Sequence, residues 1–307
     1  MSMRSPSGFI RPGFDPLKTP DAPTIGTATP GNTFASVVFT APPDVGGSAI
    51  TAYSVVSTPG GFAGTGASSP VTVSGLTNGT AYTFKVIATN SYGLSVASAA
   101  SNSVTPVLAI GDAFGGGFFA GQISTTGNGV ADYNLVVGPA ASAQDTSKQW
   151  KNAYTATSGA DSVIDGPQNT ADMVAEGNAT VYPAAHFCNN LTIGGFSDWY
   201  MPSWNELEIC YYNLKPTTSN NTTLNGSNTN AVPSRGSNYT TGTPAQTSVA
   251  SFVTLSGAEA FLVTQIWWAS TESSDSAGYI QNFETGIQSA NGKINYRYVR
   301  AVRRVAV

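Results

Sequence analysis

The chain has 307 residues, a net charge of −4, 10% charged residues and 41% hydrophobic ones. Such a length predicts about two domains with cores of their own, and the acidic balance argues against a nucleic-acid partner. No apolar run reaches the roughly 18 residues that cross a bilayer, so no membrane insertion is expected. Cys188 and Cys210 are the only cysteines, which excludes a disulfide framework and a cysteine-based metal site. They read as two buried thiols or as one bridge between two helices. No cofactor and no metal are expected.

Residues 1–20 hold Arg4, Arg11 and Lys18, four prolines and the isolated apolar residues Phe9, Ile10 and Phe14. The positive start lacks an apolar stretch behind it, so it does not read as a secretory signal. A piece this short and rich in Pro and Gly cannot build a core. It is expected to act as an anchoring arm, with Phe9, Ile10, Arg11 and Phe14 held by another protein.

Residues 21–106 change to short apolar runs at regular spacing with turn residues between them, the pattern of an all-β sandwich. Ser36–Phe39 and Ile50–Val56 read as strands around a turn at residues 42–47. Tyr82, just ahead of the strand Thr83–Ile87, is placed to close a corner by bonding back to the backbone. With Gly47-Ser48-Ala49-Ile50-Thr51-Ala52-Tyr53 and Ala88-Thr89-Asn90-Ser91-Tyr92-Gly93, the segment resembles a fibronectin type III domain, in which Phe39 stands for the usual core Trp. The resemblance implies a spacer.

Residues 107–307 form a second domain. Ile110 to Gly121 opens it, and its three consecutive glycines, with no Lys-Ser/Thr behind them, read as a bent strand at a bulge rather than a phosphate loop. Ala171–Glu176 and Ala184–Asn190 read as helical pieces. Ser203-Trp204-Asn205-Glu206 is a capping box, and Leu207, Cys210, Tyr211 and Leu214 recur on one face of the helix it starts. That face is expected to lie on the strand Ile266-Trp267-Trp268-Ala269.

Asp198-Trp199-Tyr200-Met201-Pro202-Ser203, Trp268-Ala269-Ser270-Thr271-Glu272 and Tyr298-Val299-Arg300-Ala301-Val302-Arg303 together resemble the C-terminal domain family of a collagen-like bacterial adhesin, the Lcl C-terminal family. Tyr200 stands where that family has Arg, and Ala269 where it has Ser. The resemblance implies an α+β C-type-lectin-like fold whose first strand pairs with the last, Tyr296 to Val305. It also implies adhesion to glycans or surfaces, including at phage fibre tips.

Several residues invite chemistry. His186 is the only histidine, and no nucleophile or carboxylate partner is evident for it, so a packed or surface role is expected. Asp198, Glu206 and Glu272 read as capping groups or as partners of the C-terminal arginines rather than as an acid/base pair or a calcium cage. Lys293, Arg297, Arg300, Arg303 and Arg304 are expected to pair internally, a stripe for sulfated or phosphorylated glycan being the alternative.

The largest anomaly is residues 216–251, where 21 of 36 residues are Ser, Thr or Asn and Arg235 is the only charge. A long aperiodic stretch in a compact domain is disordered or functional. Arg235, Asn238 and Tyr239 are the ligand-binding candidates: Tyr239 to stack on a sugar face, the polar neighbours to bond its hydroxyls. The bland alternative is a solvated variable loop.

The reading from sequence is thus an all-β fibronectin type III sandwich followed by an α+β C-type-lectin-like domain. The expected function is that of a non-enzymatic phage virion fibre or appendage. It would be anchored to other virion proteins by residues 1–20, be trimeric, and present a tip that binds a host surface glycan or protein. The alternatives are a purely structural capsid or neck decoration and a bacterial cell-surface adhesin. An enzyme of the lectin-like formylglycine-generating group is disfavoured, because no paired catalytic cysteines are apparent.

Overall fold

The computed structural model describes residues 17–307, which divide into one compact unit ending at Leu108 and a second from Ala109 to Val307. The expected anchoring residues Phe9, Ile10, Arg11 and Phe14 lie outside the described residues. Lys18, placed in the arm by sequence, is already tied to the first unit. Its N–H donates to Gly46 O at 3.1 Å and its carbonyl accepts from Asn90 Nδ2 at 2.9 Å.

The first unit has seven strands: β1 (Thr24–Gly31), β2 (Phe34–Thr40), β3 (Ala52–Thr58), β4 (Ala63–Gly66), β5 (Val71–Ser74), β6 (Thr83–Asn90) and β7 (Gly93–Leu94). They make a three-stranded sheet in the order β1-β2-β5 and a four-stranded sheet in the order β4-β3-β6-β7. Strict alternation decides which faces meet: Ala35, Val37 and Phe39 of β2 and Phe84, Val86 and Ala88 of β6 are buried between the sheets, while Phe34 and Val38 face out. Phe39 packs on Tyr53 at 4.7 Å between ring centroids. The corner forms as the sequence implies, with Tyr82 Oη accepting from Thr77 N–H at 3.1 Å.

The run after β7 carries serines every third residue. Ser95, Ser98 and Ser101 donate backbone N–H groups to Ala88, Val86 and Phe84 O, and their hydroxyls accept the N–H groups of the same three residues at 2.9, 2.9 and 3.0 Å. Side chains thereby complete the edge of β6, whose amides would otherwise be buried without partners.

The second unit has two sheets. One contains β8 (Ala113–Phe114), β9 (Gly117–Ile123), β10 (Tyr133–Val137), β12 (Ala231–Val232) and β17 (Val302–Ala306) in the order β12-β9-β10-β17, with β8 also on β9. The other contains β11 (Gln144–Lys148), β13 (Ile266–Ser274), β14 (Ala277–Asn282), β15 (Gln288–Gly292) and β16 (Arg297–Arg300) in the order β11-β16-β13-β14-β15. Four helices, α1 (Ala140–Ala143), α2 (Gly166–Glu176), α3 (Pro183–Asn189) and α4 (Trp204–Leu214), complete it.

Two expectations are corrected here. The three glycines are not a bulge: Gly115 and Gly116, at φ of 57° and 84°, form the two-residue turn between β8 and β9, with Phe114 opposite Gly117. Two successive positive φ values suit a tight hairpin and are open to glycine without strain. Nor does the first strand pair with the last. β10 lies between β9 and β17, because the local β9–β10 hairpin closes a short loop and leaves only its far edge for the chain terminus.

α4 forms as expected. Glu206 Oε2 accepts the Ser203 N–H at 2.8 Å, and Leu207, Cys210, Tyr211 and Leu214 are all buried. Its apolar face shares a core cluster with Trp267 and Ala269, whereas Trp268 turns to a second cluster with Trp199, Met201 and Cys188. Adjacent strand residues point to opposite faces, so β13 serves both cores. Cys188 and Cys210 are free and buried in separate clusters, which rules out the bridge between them.

Candidate functional site

The basic residues near the C-terminus are mostly committed to carboxylates and carbonyls. Arg300 donates to Glu259 Oε2 and Gly138 O, both at 2.8 Å, and burial brings its pKa down to about 10. Arg303 makes a bidentate pair with Asp198, both bonds at 2.8 Å, and lies over the Phe196 ring. Arg304 donates to Glu206 Oε1 at 2.8 Å, which also accepts from Tyr200 Oη at 2.6 Å. Glu272 departs from expectation, since it pairs with Lys293 rather than with an arginine. The stripe proposed for anionic glycan is therefore spent on internal pairs. His186 donates through Nε2 to Gly177 O at 2.6 Å, a packing role.

Residues 216–251 are not a free projection. Several of their polar side chains, Asn221 and Asn228 above all, are buried and bond backbone groups, while others stay exposed. Asn221 is 5% exposed; its Oδ1 accepts from Tyr211 Oη at 2.5 Å, and its Nδ2 donates to Pro244 O at 2.9 Å and Thr240 O at 3.1 Å. Lys215 is likewise buried and donates to Ser219 O at 2.5 Å, and desolvation lowers its pKa. The segment is thus anchored at Asn221 and Asn228 and solvated over much of the rest.

The centre of this arrangement is Glu208 of α4, whose side chain is 1% exposed. Its Oε2 accepts from Asn228 Nδ2 at 2.6 Å and pairs with Arg235, while its Oε1 accepts from Tyr239 Oη at 2.8 Å. Asn228 and Arg235 also exchange backbone bonds of 2.7 and 3.0 Å, so both side chains reach the carboxylate from one small loop. Burial pushes the Glu208 pKa up, against the pull of Arg235 and the two neutral donors. The Arg235 guanidinium stacks on Tyr212 at 3.9 Å. Gly226, at φ of 107°, leaves room for the Tyr239 ring, which a Cβ there would meet at 2.1 Å.

Over this hub lies a cavity of about 350 Å³ walled by Tyr212, Arg235, Asn238 and Tyr239 with Ser234, Ser237 and neighbours, within the size range of small-molecule sites. The structure thus brings Arg235, Asn238 and Tyr239 together, though not in the expected roles. Tyr239 is 5% exposed and packs on Tyr211 at 5.4 Å, so its face is not open for stacking. Arg235 is held by Glu208. Both side chains compensate a buried carboxylate, so removing either costs stability. The side chains of Ser234, Ser237 and Asn238 are exposed and make no hydrogen bond among the described residues.

Sequence reasoning missed Glu208, Asn228 and Tyr212. One signal was present: a lone arginine in an otherwise uncharged stretch of 36 residues needs a counter-charge elsewhere, and Glu208 is an acid flanked by Leu207 and Ile209.

Comparison with known proteins covers the first unit. Residues 21–104 match the fibronectin type III domain, and that segment is a fibronectin type III domain. No curated protein matches the chain. Among solved structures, titin kinase with its flanking domains is 30% identical, over 29% of this chain and 17% of that one, at a TM-score of 0.27. The twitchin kinase region from C. elegans is 23% identical over 29% and 17% of the two chains, at 0.27. A titin module from human cardiac muscle is 31% identical over 29% and 91%, at 0.24. The chain spans 17% of the length of each kinase-region structure.

Proposed function

We propose that this protein is a non-enzymatic display protein whose second unit binds a host surface glycan or protein. Its setting would be a phage fibre or virion appendage. In this reading residues 1–20 attach it to other virion proteins and the fibronectin type III domain is a spacer. The second unit is a C-type-lectin-like tip, presented as a trimer so that weak sites gain avidity through effective concentration. The observation that carries the proposal is the cavity at residues 234–239, where exposed Ser234, Ser237 and Asn238 stand unbonded on a wall fixed from beneath by Glu208. Free hydroxyl and amide groups on a rigid floor suit a hydroxyl-rich ligand, since their bonds to it cost little ordering.

The test is binding of the purified full chain to host cells, with Ser237→Ala and Asn238→Ala combined. These residues bond to no other described residue, so the melting temperature should hold while binding falls several-fold. Unchanged binding by the double variant overturns the assignment of the site.

A further inference from the structure

We infer that Glu208 sets the charge selectivity of the 234–239 cavity, neutralising its one ionic wall residue so that it admits uncharged saccharides and excludes anionic ones. The inference rests on the reading of this cavity as a ligand site. Of the ten residues that line it, Arg235 alone is charged. An arginine on a pocket wall is ordinarily an anion receptor, because its fork of donors matches carboxylate, sulfate or phosphate. Here one arm of that fork is engaged from behind. Its Nη2 is bound to the buried Glu208 carboxylate, and its plane is fixed on Tyr212 at 3.9 Å.

An anion approaching the cavity therefore meets a guanidinium whose charge is cancelled by a carboxylate in direct contact with it. Behind the protein surface that cancellation is poorly screened by solvent. An anion loses the attraction that would offset its desolvation, whereas a neutral polyol needs none. The rest of the wall offers both donors and acceptors, in the hydroxyls of Ser234 and Ser237 and the amide of Asn238. Arg235 Nε is buried and has no partner, so one donor of the guanidinium remains unfilled. Glu208 touches no ligand in this scheme; it is a positioning residue that holds Arg235 and Tyr239 and sets the sign of the field.

The experiment compares the full-length wild type with Glu208→Gln. The probes are inorganic sulfate, N-acetylneuraminic acid, and the neutral sugars galactose and N-acetylglucosamine, read by calorimetry and saturation-transfer NMR. Wild type should bind a neutral probe and neither anion. Glu208→Gln, folded by circular dichroism, should gain at least tenfold in affinity for sulfate, and Glu208→Gln with Arg235→Met should lose that gain. Sulfate bound equally by wild type and Glu208→Gln overturns the inference while leaving the site reading intact. A sulfate gain with no sugar bound by wild type upholds the charge control and sinks the saccharide reading. Should Glu208→Gln not fold, wild type alone decides: saturable stabilisation by millimolar sulfate overturns the inference, and its absence supports it.

Discussion

Glu208 and Arg235, 27 residues apart in the chain, form an ion pair in which the carboxylate side chain is 1% exposed and the guanidinium side chain 13%. This one contact joins the best-defined helix of the second unit to its least regular segment. Removing Arg235 strands a buried charge. Arg235→Ala is expected to lower stability by roughly 3–5 kcal/mol, measured by urea unfolding. Glu208→Gln with Arg235→Met, which removes both charges, should lose much less.

The two tryptophans of β13 serve different cores, and Trp268 is 0% exposed with its Nε1 donating to Lys148 O at 2.9 Å. Truncation leaves a cavity and an unpaired carbonyl. Trp268→Ala should cost about 3–5 kcal/mol, enough to lower the melting temperature of the second unit visibly in calorimetry. The first unit's transition should stay where it is.

Ser98 is 5% exposed and its hydroxyl is the acceptor for the Val86 N–H at 2.9 Å. Ser98→Ala leaves that amide buried without a partner, at a cost of about 1–3 kcal/mol. Hydrogen exchange at Val86 reads the effect directly. An unchanged exchange rate would show that the serine ladder is incidental.

Asp198 is held below the usual carboxylate range by its hydrogen bonds from Arg303. A folded-state pKa below the unfolded one adds stability above the unfolded value, about 3.9, and that stability is lost as pH falls through the folded value. The side chain is 55% exposed, so the effect is modest. Asp198→Asn should flatten the decline in stability below about pH 4, and an identical acid profile would count against the pairing.

Cys188 and Cys210 are both buried, and burial pushes both thiols up. Neither should react with a thiol reagent such as dithionitrobenzoate in the native protein. Both should react on unfolding, with no reductant needed. A native-state reaction faster than global unfolding would mean that one core opens locally.

The sequence by itself determined what is periodic or local. Alternation along β2, β3 and β6 defined the first sandwich, Tyr82 its corner, and the box from Ser203 to Glu206 the start of α4, because each is a short-range pattern with a period or a fixed offset. The tertiary structure decided the rest. That Asp198 and Glu206 pair with C-terminal arginines was expected from the sequence, but not which meets which: Arg304 meets Glu206 across 98 residues and Arg303 meets Asp198 across 105, separations at which no sequence period links two side chains. The order of residues 216–251 was hidden for the same reason. Asn221 and Asn228 fix that segment by bonding to carbonyls, amides and Glu208, and such bonds are set by where the backbone passes rather than by any repeat. Arg235 and Tyr239 could be singled out from composition. That they brace a buried carboxylate, leaving Ser234, Ser237 and Asn238 as the open groups, follows only once α4 supplies Glu208 beneath them.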